Sequence, residues 1–305
     1  MQSVHPAEVF ATQPLLKPRS HADMLHTFSD AELQSQGSPT TTPIKLRAVS
    51  YLAPNWFEFY QAVVSSLGRR LQVETQLVQA HSDPLHDPLL EQDQWDLAFI
   101  CGLPLVRYQR MAPKQLRAIA APIMQASRYQ NRPFYFADVV VKADSGFHSF
   151  VDLAGATVCY NDPGSNSGYY LLCDRLLQEN APRFFSSAMQ SGSHQHSMRW
   201  VLEGKVACAA IDSTVLEQEC RLFPELSGLR VIESIGPCMM PPVVLAQHLG
   251  EALIQQVQAA LLKPDVLLQA AMNRMAMERY AAVTDHEYGA IAQMFDVVVN
   301  AGCAL

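Results

Sequence analysis

The sequence predicts an α/β protein built as two α/β units in series, followed by helices. Three observations carry that prediction. From Ile44 onward, short apolar runs alternate with amphipathic stretches in a βαβα order, the pattern of a parallel sheet with helices on both faces. With 305 residues, 49% hydrophobic and 17% charged, the chain has the material for two domains or one bilobal unit. And residues 156–172 (ATVCYNDPGSNSGYYLL) read as a buried strand, a turn, and a helix opened by Ser165-Asn166-Ser167-Gly168.

Taken in order, residues 45–52 alternate as a first strand, and Pro54-Asn55 opens an amphipathic helix over 56–71. A strand at 73–78 and a helix at 84–94 lead to the buried strand WDLAFIC (95–101), which ends at Gly102. A helix at 103–110 and a strand at 116–121 follow. FYFADVVVK (134–142) reads as a long strand that could carry the chain out of the first unit. Beyond the short helix 150–153 and the central strand–turn–helix, strands are expected at 184–190, 206–211 and 229–234. Helices are expected at 196–203 and 214–222, an extended return at 241–247, and helices at 251–262, 265–280 and 286–300. The expected organisation is an N-terminal extension (1–43), a first lobe (44–142 plus 236–305) and a second lobe (143–235). Crossings near Lys142 and Gly236 would let the lobes close by a hinge motion.

Composition excludes several roles. A net charge of −7 and the absence of a Lys/Arg stripe argue against a nucleic-acid partner. No run reaches the roughly eighteen apolar residues of a membrane span. The seven cysteines are odd in number and show no CxxC spacing, so neither a disulfide framework nor a zinc site is expected. Residues 1–42, rich in Ser, Thr, Pro, Gln and His, read as a disordered or loosely docked extension, with a short capped helix at 30–33. They show no basic and apolar export pattern. The expectation is a cytoplasmic protein, or a periplasmic or membrane-associated one whose export signal is missing. No cofactor is expected, and the chain is expected to be a monomer.

Polar groups gather where strands end. A helix start leaves backbone N–H groups without partners and carries partial positive charge, so Ser165–Ser167 make a socket for an anion. The ordinary role of such residues is an N-cap that binds nothing. Tyr51, Gly102 and Asp212 also follow strands, however, and open α/β sheets bind ligands outside the carboxyl ends of their strands.

In this order, the segments resemble the phosphate/phosphite/phosphonate ABC-transporter substrate-binding protein family. The resemblance is carried by Asp96-Leu97-Ala98 before Gly102-Leu103-Pro104, then DLAGATV (152–158), DPGSNSG (162–168), Gly192-Ser193-His194, and the run from Val201 to Asp212. It covers residues 44 to 260, with DPGSNSG its most specific element. It implies a type II periplasmic-binding-protein fold, each lobe a mostly parallel sheet flanked by helices. It also implies non-catalytic binding of a small oxyanion or anionic metabolite between the lobes, by an ABC uptake component partnered with a permease or by a stand-alone sensor. Ser165, the amide of Asn166 and Ser167 would hold the oxyanion and His194 would donate to it. Asp212 would face the ligand or a protonated oxygen, and Tyr51 would close the pocket, with Cys101 lining it. Two positions depart from the family pattern: an aromatic is usual near Cys101, and Thr is usual at Asn166.

Other readings of the same residues are weaker. His194-Gln195-His196 lacks the further ligands of a metal site. Cys101 with His194 as base would be a nucleophile in an activating environment, but a small buried lining residue is the simpler role. Arg107 could clamp an acidic ligand, though a solvated helix face is the simpler role, and Trp56 and Tyr60 share one helix face that suits core packing more than ligand stacking. The alternative function is an enzyme of this fold acting on a small carboxylate, like the chorismate-dehydrating enzymes, with Asp212 or His194 as acid or base.

Overall fold

The computed structural model describes residues 45–81, 83–179 and 183–305. The expected extension 1–43, with its short helix, lies outside them. Eleven strands fall into two sheets. The first is built from β1 (Lys45–Ser50), β2 (Glu74–Gln79), β3 (Leu97–Phe99), β4 (Leu116–Met124), β10 (Val243–Ala246) and β11 (Met277–Ala282), in the order β11-β4-β10-β3-β1-β2. The second holds β5 (Phe134–Lys142), β6 (Thr157–Tyr160), β7 (Ser187–Gln190), β8 (Cys208–Asp212) and β9 (Leu229–Met239), in the order β7-β6-β8-β5-β9. β1 pairs parallel with β2 and β3, and β6 pairs parallel with β7 and β8. Pairings that involve β5, β10 or β11 are antiparallel.

The helices follow from periodicity and capping. α1 (Phe57–Leu71) buries Phe59, Tyr60, Val63, Val64 and Leu67 on one face, and the left-handed Gln72 (φ 56°) ends it. α2 (Pro88–Glu91) is a single turn capped by Asp87. α3 (Gly102–Met111) starts at the end of β3. A Cβ on its first glycine would stand 2.5 Å from Ile291 Cδ1, so that side chain would have to move aside. α4 (Leu171–Gln178), α5 (His194–Leu202) and α6 (Ser213–Leu222) belong to the second half of the fold. α7 (Glu251–Leu262), α8 (Val266–Arg274) and α9 (Gly289–Asn300) close the chain. α9 bridges the halves: Phe295 packs on Tyr170 with ring centroids 5.0 Å apart and lies under the Arg107 guanidinium at 5.2 Å. No helix among the described residues is long and apolar enough to cross a membrane.

Two expectations need correction. Strand 134–142 does not close the first lobe, since it pairs with β8 and β9 in the second sheet. The strand expected at 229–234 runs on to Met239 in the same sheet. The chain therefore changes sheets across 125–133 and 240–242, not near Lys142 and Gly236. The helix expected over 265–280 stops at Arg274, where Ala276 turns left-handed (φ 50°) and the chain re-enters the first sheet as β11 against β4. The mixed segment MERYAA fits a short, partly exposed strand as well as a helix, and the pairing offered by β4 decides between them.

Candidate functional site

The central motif folds as a strand, a tight turn and a helix. β6 ends at Tyr160. Asp162 then accepts from the Gly164 amide (2.8 Å) and the Asn161 side chain (3.0 Å), which shapes the turn. Ser165 caps the helix that follows, its Oγ accepting from Gly168 N at 3.0 Å. The first turn, Asn166–Tyr170, is a π-turn that runs directly into α4. Such turns are uncommon and recur at functional sites.

Around this helix start lies a cavity of about 640 Å³. Tyr51, Cys101, Ser165, Ser167, His194 and Asp212 all line it. Ser167 and His194 face each other, with Oγ and Nε2 3.1 Å apart. His194 sits at the start of α5, after Gly192 (φ 86°), and Ser193 caps that helix by accepting from His196 N at 3.1 Å. Burial pushes the imidazole down to about 4, so it is neutral at physiological pH. Asp212 ends β8 and caps α6. Its Oδ1 accepts from Thr214 N (2.8 Å), Thr214 Oγ1 (2.7 Å) and Val215 N (3.4 Å). Burial raises this carboxyl to about 6 despite those bonds.

Asn166 does not line the cavity with its side chain. It is fully buried, and Nδ2 donates to Tyr135 Oη (2.6 Å) and faces Cys238 Sγ (3.2 Å). Its main-chain amide lies within hydrogen-bonding reach of the Cys101 sulfur. Burial drives the Cys101 thiol up to about 12, with Asp212 and Cys238 adding to the rise, so the thiol is not activated as a nucleophile. Tyr51 presents its ring to the cleft while its hydroxyl donates to Asp87 Oδ2 at 2.5 Å. His194 and His196 do not converge, because His196 is exposed and its Nδ1 faces Ser191 O at 3.2 Å. Among the described residues, no group of three or more His, Cys, Asp or Glu could hold a metal ion.

Sequence reasoning weighed Arg107, Trp56 and Tyr60 for the cleft and ranked other roles above it, and it missed further lining residues. Arg107 faces the cleft, and Trp56 and Tyr60 serve the core and the cleft wall at once. Asp83, Asp162 and Tyr280 also line it. Asp162 was visible inside the DPGSNSG run. Tyr280 was hidden by the helical reading of its segment, and Asp83 lies in a loop with no pattern of its own.

Two sheets joined by two short crossings, with a cleft at the carboxyl ends of β6 and β8, define a bilobal binding-protein fold. The chain belongs to the family described as ABC transporter, phosphonate, periplasmic substrate-binding protein, whose model matches residues 50–288. Solved structures share the fold. A binding protein component of an ABC phosphonate transporter from Pseudomonas aeruginosa is 14% identical with a TM-score of 0.72, and the match covers 84% of this chain and 87% of that one. A Prochlorococcus marinus protein in complex with methylphosphonate is 16% identical with a TM-score of 0.71, over 82% and 96% of the two chains. The periplasmic aliphatic sulphonate binding protein of Escherichia coli is 16% identical with a TM-score of 0.58, over 86% and 89%. No curated protein matches the chain.

Proposed function

We propose that this chain binds a phosphonate-like oxyanion between its two halves, as the ligand-capturing component of an ABC uptake system. Ser165, the Asn166 amide and Ser167 hold the anionic oxygens at the helix start. His194 adds a neutral donor, and Asp212 accepts from a protonated ligand oxygen. Tyr51 and Cys101 wall the cleft from the first sheet. The observation that carries this reading is the Ser167–His194 pair, buried at the N-terminus of a helix that opens on the cavity. Neutral donors and a helix dipole bind a buried anion without a full counter-charge. The methylphosphonate held by the Prochlorococcus neighbour points to the same ligand class.

The test is thermal unfolding of the full chain with methylphosphonate and phenylphosphonate, repeated on Ser165→Ala/Ser167→Ala. Ligand at a thousand times its Kd stabilises by about 4 kcal/mol. Stabilisation of the wild type, lost in a folded double variant, is the expected result. Equal stabilisation of both proteins would reject the socket.

A further inference from the structure

The walls of the cleft already touch in this structure. Ala53, before α1, packs on the apolar cluster of Val215 and Leu216 in the second half. The Asp83 carboxylate lies against Gly164, where an added Cβ would stand 3.7 Å from Asp83 Oδ2. At the base, the Asn166 amide faces the Cys101 sulfur. With these contacts made, about 640 Å³ stays open. That volume lies within the range of about 300–1,000 Å³ typical of sites for drug-sized organic molecules. A bare tetrahedral oxyanion displaces roughly two waters' share of liquid, on the order of 60 Å³, and would leave most of the cavity unfilled.

The remaining wall has a definite chemistry. Trp56, Tyr60, Phe99 and Tyr280 give it an aromatic side. Tyr60 stacks between two of the other rings, 4.2 Å from Phe99 and 6.1 Å from Trp56 between centroids. Three carboxylates, Asp83, Asp162 and Asp212, line the same cavity, and among the described residues Arg107 is the one lysine or arginine in that lining. A second anionic group, on the ligand's tail, would meet like charge with little compensation.

We infer that the ligand is an oxyanion carrying a bulky aromatic or other apolar substituent with no anionic group on that substituent, of the kind an arylphosphonate represents. The inference rests on the oxyanion reading of Ser165–Ser167 and adds the identity of the tail. Apolar burial supplies the preference, because a phenyl ring removed from water against these rings outweighs a methyl group.

Isothermal titration of the wild-type chain with phosphite, methylphosphonate, phenylphosphonate and 4-carboxyphenylphosphonate tests it. Phenylphosphonate is expected to bind at least tenfold tighter than methylphosphonate or phosphite, and the ring carboxylate is expected to cost at least tenfold. If methylphosphonate or phosphite binds as tightly as phenylphosphonate, the tail is overturned while the socket stands. If the carboxylate costs nothing, the exclusion of an anionic group from the tail is overturned. If none of the four binds, the oxyanion reading falls and the tail falls with it.

Discussion

Ser167 Oγ and His194 Nε2 lie 3.1 Å apart, both side chains buried, and no charged group accompanies them in that contact. Across the same cavity, Asp212 is buried too. Their titrations pull stability in opposite directions. His194 falls to about 4 from 6.5, so the unfolded chain takes up the proton first, and its contribution is lost as pH falls from 6.5 toward 4. Asp212 rises to about 6 from 3.8, so its contribution is whole below 3.8 and lost as pH rises through 6. Between these values the slopes oppose. Relative to wild type, His194→Asn should therefore lose stability as pH rises from 4 to 6, and Asp212→Asn as pH falls from 6.5 to 4. Each difference should be on the order of 1–3 kcal/mol. Urea midpoints read across pH decide the matter, and parallel profiles for all three proteins would refute the assignment.

Gly168 is held by space. A Cβ there would stand 1.9 Å from Asn161 Oδ1 and 3.3 Å from His194 Cε1. Asn161 also shapes the turn through its bond to Asp162. Gly168→Ala should expel the Asn161 side chain and press on His194. The expected outcome is a loss of at least tenfold in methylphosphonate or phenylphosphonate affinity, with about 1–3 kcal/mol of destabilisation. Calorimetric titration beside a denaturant melt separates the two effects. Unaltered affinity would show that neither side chain needs its present position.

The lining of the cleft by Ser165, Ser167, His194 and Asp212 was legible because each residue follows a strand inside a motif of fixed spacing. The direction of a side chain was not legible. Asn166 sits in the middle of the socket motif, yet its carboxamide turns into the core to reach Tyr135, a partner 31 positions away in sequence. Tyr280 was hidden for a related reason. Its segment MERYAA is short and mixed enough for helix or strand, and β4, more than 150 positions earlier, decides by pairing with it. Local patterns determined the parallel strand–helix units well. The antiparallel strands β5, β9 and β10 were marked locally as well, but the sheet each one joins depends on distant partners, and β11 was read as helix.

His248 clamps the edge of β10 to the approach of β3. Its Nδ1 lies 2.9 Å from Asp93 Oδ2 and its Nε2 2.9 Å from Asp96 Oδ1, while Asp96 Oδ2 accepts from Arg47 N at 2.6 Å. Partial burial works against the charged ring, but the bonds to Asp96 and Asp93 outweigh it and raise its pKa. The stabilising contribution is thus whole below the ordinary value of 6.5 and is lost as pH rises through the elevated folded value. The site is partly exposed, so the gain should stay below about 1 kcal/mol. His248→Gln should lower the melting temperature more at pH 5.5 than at pH 9. A larger deficit at the alkaline end would invert the sign and rule the clamp out.

The first crossing between the sheets is anchored by a buried ion pair. Asp138 on β5 has no exposed surface, and Arg128, in the segment between β4 and β5, meets it with two bonds of 2.7 and 3.0 Å. Ser234 on β9 donates to the same carboxylate at 2.6 Å, and the guanidinium also lies over the Phe136 ring at 4.8 Å. Removing the arginine alone leaves a charge in the interior, and breaking such pairs typically costs about 3–5 kcal/mol. Arg128→Ala should therefore destabilise by about 3 kcal/mol or more. Asp138→Asn on top of it should recover part of that loss, because the stranded charge is gone while Ser234 keeps an acceptor. Denaturant melts of the wild type and the three variants of this cycle measure the coupling. An Arg128→Ala protein within 1 kcal/mol of wild type would mean that Asp138 is compensated elsewhere, and that the pair does not hold the crossing strand in place.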